Sequence, residues 1–206
     1  ESEAPILEVG LPAIGPVQEA IGRHVADMID DGSTLQIGYG GIPDAVVLQL
    51  TGKHDLGVHT EMLGDGILNL IERGVVTNRR KTWMRGRSIA TFALGSARLH
   101  RFMDRNPALE MHPVGFTNKP SLAARNDKLV AINATLQIDL LGQCGSESLG
   151  HAPYSGTGGQ SDFVRAANLS RDGKAIIVLP STAVGATISR IVPVLAPGTH
   201  VSTSKN

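Results

Sequence analysis

Hydrophobic and polar positions along the chain alternate between a helical period and short apolar runs. Residues 1–13 contain two prolines and a glycine, and we interpret them as an entry arm. From residue 16 to residue 31, apolar side chains recur at spacings of three and four, which predicts an amphipathic helix that stops at Gly32. A short strand is predicted at residues 34–37, immediately before a glycine-rich turn.

This order of strand, turn and helix is repeated farther along the chain. Pro43 and Asp44 begin a helix, because proline suits the first helical turn and an acidic side chain suits its positive dipole end. A strand at 56–60 then precedes a turn and a helix at 66–73, which a glycine ends. Further strands are predicted at 88–94, 111–116, 129–141 (one bent strand or two), 175–179, 188–195 and 200–203, and further helices at 96–106, capped by Ser96, and 161–167.

The alternation of strands and helices predicts the fold class. It indicates an α/β protein with a mostly parallel, open sheet that has helices on both faces. In such sheets, ligands bind where strands lead into helices at the carboxyl ends of the strands. Three loops of the chain are predicted at that edge: 38–44, 61–66 and 156–161.

Composition and charge exclude several classes of partner. The chain has 206 residues, 41% of them hydrophobic, which is enough for a substantial core. Its formal net charge is zero, and its basic patches at 79–81 and 85–87 are short, so we interpret them as solvated surface. Binding to a nucleic acid or an anionic membrane surface needs many clustered basic residues, and a membrane span needs about 20 apolar residues. We therefore expect no nucleic-acid partner and no membrane partner.

The single cysteine and the histidines give little evidence for other chemistry. Cys144 cannot form an internal disulfide, which fits a reducing compartment, and without a signal peptide we expect a cytoplasmic protein, although the chain begins without Met. A cysteine hydrolase would need a partner such as the nearby His151; the alternative is a half-buried loop thiol. The seven histidines show no spacing typical of metal ligands, so we expect no metal.

Glu61 is the main candidate for chemistry. It directly follows the predicted strand at 56–60 and precedes the glycines that lead into the next helix. A carboxylate at such a strand end faces a cleft, and the helix N-terminus would stabilise its anion. A carboxylate can also attack an activated acyl group as a covalent nucleophile. The alternative is a loop-end glutamate that pairs with an arginine or caps the helix.

Two glycine-rich loops are candidate binding elements. Gly156, Gly158 and Gly159 precede a helix and offer a run of backbone N–H groups that could hold a developing oxyanion or a thin substrate arm. The alternative is an ordinary turn. The other loop, Gly38–Asp44, does not match a dinucleotide fingerprint, because Pro43 stands where glycine or alanine is needed.

Several strings in one continuous order resemble a known family. From about Leu35 to the end of the chain, the sequence is similar to the C-terminal domain of the acetyl-CoA hydrolase/transferase family, which includes 4-hydroxybutyrate CoA-transferases. The resemblance is carried by the segments Leu35–Ala45, Gly57–Met62, Asp139–Gln143, Ser155–Arg165 and Leu179–Thr182, together with Asn133.

The resemblance implies roles for particular residues. Glu61 would attack the acyl-CoA thioester, give a mixed anhydride and then carry CoA as a glutamyl-CoA thioester. Gly158 and Gly159, with Gly156, would lie against the pantetheine and supply a backbone N–H to the thioester oxygen. The substrate pocket would include Asn118 and the first glycine loop, Gly38, Tyr39 and Gly40. Glu147 has a similar local string but lies outside the matching strand end.

The resemblance also implies a domain organisation. Family members have two tandem α/β halves with the active site between them, and this chain matches only the second. We expect residues 1–206 to be the C-terminal acetyl-CoA hydrolase/transferase domain, with an absent N-terminal half and a C-terminus shorter than in relatives. Its expected partners are acyl-CoA, a short carboxylate, the N-terminal half of the same enzyme and further copies in a homo-oligomer.

The expected activity is CoA transfer between short acids such as acetate, butyrate, 4-hydroxybutyrate, itaconate or succinate. Coenzyme A would be a substrate, with no permanently bound cofactor. Two alternatives stay open. A hydrolase on the same scaffold would differ in whether water reaches the glutamyl intermediates, and an isolated half could bind CoA without turnover.

Overall fold

A computed structural model of the chain describes residues 6–10 and 13–204, so only part of the predicted entry arm is included. The helices of the described residues are α1 (Pro16–Asp27), α2 (Gly41–Gln49), α3 (Asp65–Glu72), α4 (Ala97–Met103), α5 (Val114–Thr117), α6 (Pro120–Ala123) and α7 (Gln160–Leu169). The strands are β1 (Thr34–Ile37), β2 (Gly57–Val58), β3 (Met62–Leu63), β4 (Ser88–Ala90), β5 (Phe92–Ala93), β6 (Leu109–Met111), β7 (Leu129–Ala134), β8 (Gln137–Asp139), β9 (Cys144–Gly145), β10 (Ser148–Leu149), β11 (Ala152–Pro153), β12 (Lys174–Val178), β13 (Thr182–Ala183), β14 (Ile188–Ser189) and β15 (Ile191–Val192).

The central sheet is parallel and has four strands in the order β12–β7–β1–β2. Leu35 of β1 pairs with Val58 of β2 on one side and with Val130 of β7 on the other. All four carboxyl ends therefore lie at one edge, as the α/β prediction requires.

Side chains of β7 show why this sheet is covered on both faces. Val130 and Ile132 belong to the large apolar cluster that includes residues of α1, α2 and α3. Leu129 and Ala131 point the other way and pack with Phe163 of α7. Alternate strand residues face opposite sides, so two helical layers bury the two sets. The predicted fold class is confirmed.

Further parallel pairs extend this arrangement beyond β2. Strand β4 pairs with β6, and β3 pairs with β5. A parallel bridge between His59 and Ile89 joins the chain after β2 to β4. Because of this bridge, the segment that leads to Glu61 lies between β1 and β4.

Several predicted boundaries are wrong for local physical reasons. Helix α1 ends at Asp27, because the chain then turns back through Gly32, whose φ is 76°. The predicted strand at 111–116 ends at Met111, because Pro113 cannot donate to a strand ladder and instead is the N-cap residue of α5. The predicted strand at 88–94 is split into β4 and β5.

The region after residue 134 is built differently from the central sheet. The predicted segment 129–141 forms two strands, β7 and β8, and the remaining pairs are short and mostly antiparallel. The strand predicted at 200–203 is reduced to a single bridge between Thr203 and Cys144. Across the described ranges, every helix is too short or too polar to cross a membrane.

Candidate active site

The chain after β2 holds Glu61 at the carboxyl edge of the sheet. The backbone N–H of Thr60 donates to the Ile89 carbonyl at 3.0 Å, and its Oγ1 accepts a hydrogen bond from the Ile37 N–H at 3.2 Å. The carbonyl of Glu61 accepts a hydrogen bond from the Thr91 N–H at 2.9 Å. Neighbouring backbone on both sides therefore fixes where the Glu61 side chain begins.

The carboxylate of Glu61 meets the second glycine loop. The backbone N–H of Gly159 donates to Glu61 Oε2 at 2.9 Å. Gly159 is buried and is the residue immediately before α7, so the positive end of that helix dipole also faces the carboxylate. A Cβ atom on Gly159 would collide with the Glu61 carboxylate and lie 2.6 Å from Asn118 Nδ2. Only glycine permits this close approach.

Asn118 is the third member of this group. It follows the last residue of α5, and its backbone N–H donates to the Val114 carbonyl at 2.9 Å. The residue is only 6% exposed, and its Oδ1 has no hydrogen-bond partner within the described part of the chain. The structure thus brings together three residues that the sequence assigned to the site: Glu61, Gly159 and Asn118.

The other glycines of the second loop lie apart from this group. Gly156 and Gly158 are exposed, and a Cβ atom on either would have no described atom within 4 Å. This open space suits a surface against which a substrate arm could lie. The loop therefore combines an open approach with one buried N–H at its end.

The first glycine loop lies beside the residue that follows Glu61. Gly38 and Asp44 share a small cleft with Met62 and Gly64. Tyr39, in contrast, is 63% exposed. Gly40 has a φ of 126°, a conformation that side chains of L-residues rarely adopt. The structure therefore places Gly38 at this cleft but leaves Tyr39 on the surface.

Two acidic side chains at the starts of α2 and α3 have different surroundings. Burial, and secondarily repulsion from Asp65, raises the pKa of Asp44 above its usual range. Asp65 accepts hydrogen bonds from the Ser96 N–H at 2.8 Å and from Ser96 Oγ at 2.6 Å. Ser96 therefore does not cap its own helix with its side chain, as the sequence predicted, and instead joins α4 to α3.

Two buried basic residues lie at the segment that leads to Glu61, and neither was predicted to have a role. His59 is fully buried; burial lowers its pKa to about 4, and its Nε2 lies 2.8 Å from the Thr117 carbonyl. Lys81 was expected on the solvated surface, but it is 3% exposed, and burial lowers its pKa to about 7. Its Nζ donates to the Val58 carbonyl at 2.9 Å. The sequence signal that could have identified His59 is its position as a polar residue within the otherwise apolar strand predicted at 56–60.

Glu147 and Cys144 lie outside this group and have partners of their own. Glu147 Oε2 lies 2.6 Å from His200 Nδ1 and accepts a hydrogen bond from Thr157 Oγ1 at 3.0 Å. Cys144 is buried, and this burial raises the pKa of its thiol and disfavours the reactive thiolate. Within the described ranges, no three His, Cys, Asp or Glu side chains come together as a metal site.

Comparisons with known proteins show the family of this chain. The family model for the acetyl-CoA hydrolase/transferase C-terminal domain matches residues 95–206. A succinyl-CoA:cyclohexane-1-carboxylate CoA transferase from Geobacter metallireducens is 54% identical over the whole chain, which covers 47% of that protein. A 4-hydroxybutyrate coenzyme A transferase from Clostridium kluyveri is 47% identical, again over the whole chain and 48% of its own length.

A solved structure shows the same fold. The crystal structure of RipA from Yersinia pestis superposes with a TM-score of 0.91 at 45% identity, over 97% of this chain and 45% of the RipA chain. The chain thus spans about half the length of the relatives it matches.

Proposed function

The chain belongs to the acetyl-CoA hydrolase/transferase family, and on this premise we propose that it is the catalytic C-terminal half of an acyl-CoA:carboxylate CoA-transferase with Glu61 as nucleophile. The observation that carries the proposal is the hydrogen bond from the Gly159 N–H to Glu61 Oε2 at 2.9 Å. It joins a carboxylate at a strand end to a backbone donor at a helix start. Such a donor can stabilise charge that develops during acyl transfer.

In the first half-reaction, a Glu61 carboxylate oxygen attacks the thioester carbonyl of the donor acyl-CoA. The carbon–sulfur bond breaks, CoA leaves as its thiolate, and an acyl–glutamyl mixed anhydride remains. The thiolate then attacks the glutamyl carbonyl of the anhydride. The carbon–oxygen bond breaks, the donor acid leaves as a carboxylate, and Glu61 carries CoA as a thioester.

In the second half-reaction, the acceptor carboxylate attacks the glutamyl carbonyl. CoA leaves as its thiolate, and a new mixed anhydride joins the acceptor acid to Glu61. The thiolate then attacks the acyl carbonyl, which gives the new acyl-CoA and returns Glu61 to its carboxylate. Every tetrahedral intermediate carries an oxyanion near Glu61. We assign the Gly159 N–H and the Asn118 amide to its stabilisation, and the open loop at Gly156 and Gly158 to the pantetheine arm.

Substrates and partners follow from the same proposal. The names of the two curated relatives refer to succinyl-CoA, cyclohexane-1-carboxylate and 4-hydroxybutyrate. We propose that this chain also transfers CoA between carboxylic acids, with Gly38 and Met62 near the acyl group. We further propose that an N-terminal half completes the cleft, and that the enzyme is a cytoplasmic homo-oligomer.

Mass spectrometry of the complete enzyme tests the proposal. The enzyme is incubated with a panel of short acyl-CoAs, trapped with borohydride or hydroxylamine, and digested. We expect a modification on the peptide that contains Glu61 and none at that position in Glu61→Ala. A wild-type enzyme that turns over acyl-CoA without any modification of Glu61 would contradict the covalent mechanism. Release of free CoA without an acceptor acid would instead indicate hydrolysis.

A further inference from the structure

His59 is a fully buried residue that no step of the proposed reaction uses. Its ring packs against Trp83, with centroids 5.7 Å apart, and against Phe163, with centroids 6.3 Å apart. It is 0% exposed, so substrate cannot reach it. A buried polar side chain two residues before the proposed nucleophile needs a reason other than acid–base catalysis.

Within the described residues, the His59 ring makes one hydrogen bond, and this bond determines its tautomer. Nε2 lies 2.8 Å from the Thr117 carbonyl, which can only accept, so the proton must be on Nε2. Nδ1 is buried and has no partner within the described residues. Because burial lowers the His59 pKa to about 4, the ring remains neutral at neutral pH and donates this single bond.

The acceptor of this bond lies at a point that the local structure leaves unsupported. Thr117 is the last residue of α5, a helix of only four residues. Carbonyl groups in the last turn of a helix lack partners within the helix, and such a short helix is not stable alone. The Thr117 carbonyl belongs to the peptide unit that continues into Asn118. A donor that holds this carbonyl therefore also holds the backbone of Asn118.

Asn118 is where a small displacement would matter. A Cβ atom built on Gly159 would lie 2.6 Å from Asn118 Nδ2 and would also collide with the Glu61 carboxylate. Asn118, Gly159 and Glu61 therefore meet at one point. Misplacing a group at an active site by about 1 Å can cost roughly 100-fold in rate. We propose that His59 is a positioning residue: its Nε2–H holds the Thr117 carbonyl and thereby sets the Asn118 amide against Glu61 and Gly159. This inference rests on the proposed function of Glu61.

A double-mutant cycle in the complete enzyme tests the proposal. His59→Phe keeps an aromatic ring but removes the donor, and Asn118→Ala removes the amide that the donor is proposed to position. We expect Asn118→Ala to lower kcat about 100-fold and His59→Phe about tenfold, with the KM for acyl-CoA within about twofold of wild type. The double variant should be no slower than Asn118→Ala alone, because both changes remove one function. If the double variant instead lost about 1000-fold in kcat, the product of the two single losses, the two residues would act independently and the proposal would be overturned.

A second His59 variant separates hydrogen bonding from packing. His59→Gln keeps an N–H donor and loses the ring, so positioning through the Thr117 carbonyl predicts that it is faster than His59→Phe. The reverse order would assign His59 to packing and overturn the proposal. Val25→Ala, in the apolar cluster on α1, serves as a control for lost stability alone and should leave kcat within about twofold. The adduct on Glu61 is measured in the wild type as well. If the adduct forms but the variants behave differently from these expectations, the inference about His59 fails while the proposed function stands.

Discussion

The two glutamates Glu61 and Glu147 occupy similar local strings and very different surroundings. Glu61 follows β2, is held by backbone on both sides, and accepts a hydrogen bond from the Gly159 N–H. Glu147 lies among short antiparallel strands, where its Oε2 contacts both His200 Nδ1 and Thr157 Oγ1. One carboxylate is presented to a fixed backbone donor, and the other is engaged with two side chains.

This difference shows what a carboxylate nucleophile requires from a fold. It needs oxygen lone pairs that are free to attack and a donor for the oxyanion that then forms. Within the described residues, the Glu147 carboxylate contacts only side chains, so it lacks the second of these, a backbone donor. Glu147 instead connects three parts of the chain, because its backbone carbonyl also accepts a hydrogen bond from the Tyr154 N–H at 2.8 Å. We interpret Glu147 as an anchor for the loop that carries Gly156 and Gly158.

The largest predicted effect compares the two glutamates directly. We expect Glu61→Gln to lower CoA-transferase turnover on the order of 10⁴-fold or more, because a neutral amide is a poor nucleophile and cannot form the anhydride. Glu147→Gln should remain within about tenfold of wild type, since the change weakens only a partly exposed contact. Steady-state assays of the two complete variant enzymes measure this. Equal losses in both variants would contradict the assignment of Glu61 alone as the nucleophile.

The next prediction concerns the backbone donor beside Glu61. Gly159→Ala should lower kcat about 100-fold, because the new methyl group must displace the Glu61 carboxylate or the Asn118 amide. Its φ of −82° is compatible with alanine, so folding should be retained. Gly52→Ala is the matched control, because a Cβ there has no described atom within 4 Å. Assays and thermal melts of both variants should show lost activity without lost folding only in Gly159→Ala.

Most of the fold could be predicted from the sequence, because periodicity reports local burial. The strand at 34–37 and the helix before Gly74 follow from apolar spacing, and Gly74, with φ 72°, ends that helix as predicted. The prediction failed at residues 112–116, where the short helix α5 follows Pro113, and at residues 200–203, which make one isolated bridge. The first error is a local effect of Pro113. The second segment forms its backbone hydrogen bonds with Cys144, which is distant along the chain, and periodicity does not report such contacts.

The sequence predicts which residues form the candidate site, but it does not predict their geometry. Glu61, Gly159 and Asn118 were identified by position and resemblance, yet 98 residues separate the two that share a hydrogen bond. The supporting residues were missed for a different reason. Lys81 is next to two arginines in sequence, so it was assigned to the surface, whereas the fold buries its side chain against Gly57. A charge pattern alone does not show which long side chain turns inward.

The buried Lys81 side chain leads to a prediction about how the free energy of unfolding depends on pH. The pKa of Lys81 is lowered to about 7 in the folded protein, against 10.5 for an ordinary lysine. Between these values the unfolded chain binds more protons than the folded one, so this lysine makes the free energy of unfolding rise with pH. From pH 7 to pH 9 the expected gain is about 2 kcal/mol, and Lys81→Met should lose it.

Denaturant unfolding of wild type and Lys81→Met at the two pH values measures this gain. The matched control is Arg80→Met, which removes the exposed basic neighbour of Lys81 in the sequence. An arginine side chain stays charged in both the folded and the unfolded chain between pH 7 and pH 9, so this replacement should leave the wild-type pH slope unchanged. If Lys81→Met kept the wild-type slope, Lys81 would be charged in the folded protein, as a lysine on a solvated surface is.

The smallest predicted effect tests whether Glu147 anchors the second glycine loop. Thr157→Val removes the Oγ1 donor to Glu147 while keeping the shape of the side chain. An exposed hydrogen bond of this kind contributes about 0.5–1 kcal/mol, so we expect the KM for acyl-CoA to rise about two- to fivefold with kcat unchanged. Thr187→Val is the control, because its hydroxyl makes a comparable exposed bond to the Val184 carbonyl, far along the chain from the loop. A fall in kcat with KM unchanged would mean that Glu147 acts on the chemistry, and the distinction between the two glutamates would then fail.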